Sequence, residues 1–176
     1  MARDQDTLVP LNAEVDKKRM EDAFQVGDLD PNKLLAEWRW LCEEPLELIA
    51  RNAFGDLFLI NQAREIFQLE VSAGRFTKVA SSKDEFFALC DTPQKKEEWF
   101  AESEEKMVAA KGLRPAANQC VAFTVPLVFA ESRSDNAPWV ADLYEHLSFL
   151  GDLHRQISDV PDGGKIRLHL KPNPSE

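Results

Sequence analysis

The chain has 176 residues, 44% of them hydrophobic, and a formal net charge of -10, enough for one globular domain with a single buried core and no need of disulfides or metal. A charge of that sign argues against nucleic acid as a partner, because phosphate-binding domains gather lysine and arginine on one face. The longest apolar runs, 57–60 and 125–130, fall far short of the ~20 residues that cross a bilayer, so no membrane span is expected.

Residues 1–6 lack the apolar core of a secretory signal, and a cytoplasmic location is expected. Residues 1–28 are polar and weakly patterned and read as an N-terminal tail with one helix near 13–24. The single α+β domain is expected over 29–170, with 171–176 as a C-terminal tail. Asp30 before Pro31 is a helix start, since Asp caps free amides and Pro at the first position loses no bond. Leu34, Trp38, Leu41 and Cys42 follow at helical spacing, while Trp40 points about 240° away from Leu34 and needs a second partner. That partner is either another element of the core or a binding surface.

Four strands are expected next, at 46–51, 57–61, 64–71 and 75–80, joined by short polar connections that suit an antiparallel meander. In the third, Phe67, Leu69 and Val71 alternate with Gln68 and Glu70, the pattern of a sheet wet on one face. Ser82, Lys83, Asp84 and Glu85 form a capping box that starts a helix to about Cys90. Thr92 and Pro93 start another, expected as one helix over 93–111. With Trp99 at 0°, Phe100, Met107 and Ala110 lie within about 100°, whereas Glu97, Glu98, Glu102, Glu104 and Glu105 lie between about 140° and 300°. One face packs and the other is acidic.

Eight acidic residues stand between Asp84 and Glu105 against two lysines, Lys95 and Lys96. This window is either a surface for a basic partner or a solvated helix face that keeps the protein soluble. A strand is expected at 119–125, a Ser- and Asp-rich loop at 131–137, a long helix at 143–157, a tight turn at 161–164 and a closing strand at 166–170.

Motifs that carry chemistry are sparse. Gly55 and the pair Gly163 and Gly164 stand before strands, whereas a phosphate cradle precedes a helix. His146 and His154 are eight residues apart on one helix, about 12 Å, too far to share an ion, and they lie in or beside an apolar arc. Core or groove histidines are the plain reading, and a metal built on them with Asp142 is an alternative needing further ligands. No serine or cysteine sits in a strand-to-helix elbow, and adjacent acids on a wet helix lack the burial that separates their proton affinities. Cys42, Cys90 and Cys120 are odd in number and widely spaced, as reduced buried thiols are. No enzyme activity, cofactor or metal is expected.

The segment Ala53, Phe54, Gly55, Asp56, Leu57, Phe58, Leu59, Ile60, Asn61 and the later run Phe149, Leu150, Gly151, Asp152, Leu153, His154, Arg155, Gln156, Ile157 stand in a specific order around the strand meander and the Trp99 helix. Over about 30–168 the chain resembles the C-terminal domain family of type VI secretion immunity proteins, typified by the partner of a DNase effector, and the wider SUKH class of α+β folds. Two departures stand out: Phe129, Ala130 and Glu131 replace a Gly-Gly pair, and Asp152 replaces a Gln. The resemblance implies an antiparallel meander sheet flanked by helices and a cytoplasmic protein that neutralises a cognate toxin by occlusion. The partner it implies is a protein with a basic surface, a nuclease above all, and the chain itself is expected as a monomer or weak homodimer. The expected contact residues are Glu97, Glu98, Glu102 and Glu105, with Trp40 and Trp139 as apolar anchors. The alternative from another class is a SUKH-like adaptor for a regulatory protein, with no toxin partner.

Overall fold

The computed structural model describes residues 26–129, 136–161 and 163–165. The helix expected at 13–24 and the strand expected at 166–170 lie outside the described residues, as does most of the loop at 131–137.

A first helix, α1 (Pro31–Leu34), starts as its sequence dictates: the Asp30 carboxylate accepts from the Asn32 amide at 2.9 Å and Pro31 takes the first position. It does not run on to Cys42. The chain tightens into a 3-10 turn, Ala36–Trp38, which buries Leu34, Leu35, Trp38 and Cys42 and lays Trp40 alongside Trp38, ring centroids 6.5 Å apart.

Four strands follow, β1 (Glu47–Arg51), β2 (Leu57–Ile60), β3 (Ile66–Glu70) and β4 (Arg75–Ala80), each antiparallel to the next in chain order. The protein is therefore an α+β fold built on an antiparallel meander. The expectation of one wet face fails at its centre, where all four β2 side chains are buried. Leu57 and Leu59 pair with Leu69 and Phe67 and face a core that contains Trp38, Leu143 and Leu147. Phe58 and Ile60 face a second core with Ile66, Phe86 and Trp99. Gln68 is the register partner of Phe58 and is buried on that second face. Alternation within one strand was a poor guide because helices cover both faces.

The second face is covered by α2 (Lys83–Cys90) and α3 (Pro93–Phe100), which bring Phe86, Cys90 and Trp99 to its core, and α4 (Glu102–Ala110) follows directly after α3. The α2 capping box closes with a one-residue shift: Ser82 Oγ accepts from the Glu85 amide, and the Glu85 carboxylate accepts from Ser81 N–H. Thr92 caps α3 through the Lys95 amide, with Pro93 at its first position. The single helix expected over 93–111 is broken at Ala101, whose φ of 49° is left-handed. The break resets the helical phase, so Val108 is buried while Met107, expected on the packed face, is 59% exposed.

A second, two-stranded sheet joins β5 (Gln119–Phe123) to β6 (Pro138–Asp142), a strand the sequence reading did not foresee. Val121 N–H donates to the Ala53 carbonyl at 2.7 Å, tying β5 to the β1–β2 loop. The last helix, α5 (Leu143–Ile157), is capped by Asp142 and buries Leu143, Leu147, Leu150 and Leu153 against the first core. Trp38 Nε1–H donates to the Leu147 carbonyl at 2.9 Å. Cys42, Cys90 and Cys120 are free and buried, and burial pushes their thiols up to about 11, 12 and 12 respectively. Among the described residues no helix is long and apolar enough to cross a membrane.

Candidate functional site

The β1–β2 loop is organised by one side chain. Asn52 Oδ1 accepts from the amides of Phe54 and Asp56, both at 3.0 Å. Its Nδ2 donates to Asp56 Oδ2 and to the Trp99 carbonyl, both at 2.9 Å. Asp56 Oδ1 accepts from Val71 N–H at 2.9 Å. Asn52 thereby joins the loop to the end of α3, and Asp56 joins it to the end of β3. Gly55, at φ 95°, completes the turn. Buried Arg51 braces the same loop from below, donating to the Asn52 carbonyl and to the carbonyls of Ala116 and Ala117.

This loop forms one wall of an open cleft of about 420 Å3. Phe54 stacks on Phe123 of β5 with rings 6.2 Å apart and nearly parallel. Trp139 of β6, Phe149 of α5 and Leu127 add to the apolar lining beside His146, and the exposed Glu98 and Glu104 also border the cleft. Trp139 and Phe149 are 51% and 38% exposed. The two stretches that carry the family resemblance, 53–61 and 149–157, meet here through Phe54, Asp56, Phe149 and Leu150.

The acidic rim is a product of the break at Ala101, which itself lines the cleft. Around a continuous helix Glu98 and Glu104 would stand about 120° apart; the left-handed residue between them swings both to the same opening. Glu97 spans the break, its carboxylate accepting from Ser103 N–H and Oγ–H. Glu98 pairs with Lys95 at 2.7 Å, and Lys95 also lies 4.7 Å from the Trp99 ring centre. Glu102 pairs with Lys106 at 2.8 Å, and that hydrogen bond holds its carboxyl below the usual range.

Two titratable groups line the interior. Burial pushes the Asp56 carboxyl up to about 6, against the opposing pull of the hydrogen bonds from Asn52 and Val71. Burial holds the His146 imidazole below its ordinary value. His154 lies elsewhere, buried between Trp38, at 5.7 Å, and Gly74, where an added Cβ would sit 2.4 Å from Nδ1. It is held low by burial and raised in part by hydrogen bonds to the backbone of Val71 and Ser72. Among the described residues no three His, Cys, Asp or Glu side chains gather as metal ligands.

Of the six residues singled out from sequence, Glu98 and Trp139 line the cleft, while Glu97, Glu102 and Glu105 sit on the adjoining helices α3 and α4. Trp40, 36% exposed, is not part of the lining and rests on Trp38 instead. Sequence reasoning missed Glu104, Phe123 and Leu127 as cleft residues. The signal for the first was the acidic run itself; for the other two no periodicity pointed to a shared opening. No family model matches the chain, and no match was found among curated proteins or solved structures.

Proposed function

We propose that this protein is an immunity protein of the type VI secretion kind, which binds a cognate toxin with a basic surface, a nuclease effector first among them, and blocks it by covering its working face. The observation that carries the reading is the aromatic cleft edged by Glu98 and Glu104 and continuous with the acidic α3–α4 segment. A protein interface needs a desolvated apolar centre and a polar rim. Trp139, Phe149 and Leu127 supply the first, and the carboxylates supply the second. A nuclease must attract phosphate, so its working face is cationic and complementary to this rim.

Both resembling stretches reach this cleft, through Phe54, Asp56, Phe149 and Leu150, while Leu57, Gly151, Leu153 and His154 pack elsewhere in the fold. Asp56 is a brace in this scheme: each of its oxygens already accepts a hydrogen bond from within the fold. Co-expression with the product of the adjacent open reading frame tests the proposal. Co-purification and rescued growth are expected; failure of both would overturn it in favour of an adaptor role.

A further inference from the structure

The cleft combines two properties that seldom suit the same ligand. Its walls are flat aromatic rings, the stacked pair Phe54 and Phe123 together with Trp139 and Phe149. Its charged edge is purely acidic, Glu98 on one side of the Ala101 break and Glu104 on the other. An uncharged apolar ligand would use the rings and leave the carboxylates idle. An anion would be repelled by them. A compact ammonium would be drawn to the rim and to a ring face, but it is strongly hydrated and cannot lie flat along the walls or donate side by side to two carboxylates.

A guanidinium satisfies both. It is planar, permanently charged and weakly hydrated, so it stacks on aromatic faces while its edge donates to carboxylates. Glu98 engages Lys95 through Oε1, and among the described residues Glu104 makes no ion pair.

We infer that the cleft is the receptor slot for a single arginine side chain of the protein partner, held between aromatic walls with its guanidinium toward Glu98 and Glu104. This rests on the binding role proposed above and deepens it by naming the anchor. Its geometry depends on the left-handed Ala101, since that residue brings the two carboxylates to one opening.

The slot can be tested without the partner, by following the Trp139 indole N–H resonance during titration with an end-blocked arginine peptide, its citrulline counterpart and free arginine. The arginine peptide should shift that resonance, and citrulline, the same shape without charge, should not. The double substitution Glu98→Gln and Glu104→Gln, at exposed positions that leave the fold intact, should weaken the response by up to about tenfold. Equal shifts by citrulline, no shift by either peptide, or a response unaffected by the double substitution would overturn the slot. Stronger binding of free arginine than of the peptide would make it a metabolite site and overturn the partner assignment. Because no toxin is present, loss of the slot with co-purification intact removes only this inference. Failed co-purification with the peptide response intact removes only the immunity role.

Discussion

Asp56 and Gly151 show how single residues of the resembling stretches act through the fold. Asp56 is carried by the Asn52 network, and burial raises its carboxyl from 3.8 to about 6. Its protonated form therefore favours folding: the contribution is complete below the unfolded value and is lost as pH rises through about 6. His146 and His154, held low by burial, act in the opposite sense, with a contribution present above the ordinary imidazole value and lost on acidification. Asp56→Asn removes only the first effect. Between about pH 6 and about pH 4 the stability difference between parent and variant, measured by denaturant titration, should widen in favour of the parent by about 2 kcal/mol. A constant difference would contradict the assignment. Gly151 lies where α5 crosses the 3-10 turn, and an added Cβ would stand 2.8 Å from the Glu37 carbonyl oxygen. Gly151→Ala should lower stability by about 1–3 kcal/mol despite the better helix propensity, because backbone cannot step aside as a side chain can. A variant at least as stable as the parent would show that α5 packs less closely.

The α3–α4 segment carries the lesson at the scale of elements. Its start at Thr92 and Pro93 was legible in the sequence, as was the Ser82 cap of α2, because capping is local chemistry, and so were the four meander strands and α5. The break was not. Ala101 is an ordinary helix former, and nothing in its own side chain asks for φ 49°; the break is fixed by what surrounds it, including Asn52 bonded to the Trp99 carbonyl and Glu97 bonded to Ser103. β6 was missed for a similar reason, since Pro138 to Asp142 forms a strand only through pairing with β5. The candidate site was legible in part: its charge and Trp139 stood out, but the cleft arises where six separate segments meet. A left-handed alanine costs about 1 kcal/mol that glycine avoids. Ala101→Gly should therefore hold or raise the melting temperature, whereas Ala101→Val, branched at Cβ, should lower it. A fall with glycine as large as with valine would show that the left-handed turn is not the strained point.

Across the whole molecule the charge is uneven in effect. Helices cover both faces of the meander, the thiols are sealed in the core, and the large apolar side chains that remain exposed include Leu127, Trp139 and Phe149 around one opening. The same opening is bordered by the acidic helices. Exposed carboxylates contribute little to folding, but they act at distance on a cationic partner and govern how fast it arrives. The most direct measurement is the association rate with the proposed toxin partner, once captured by co-purification, for the parent and for the double reversal Glu98→Lys and Glu102→Lys, at low and high salt. The reversal should slow association by about tenfold or more at low salt and flatten its salt dependence. An unchanged rate at low salt would contradict capture through this acidic face.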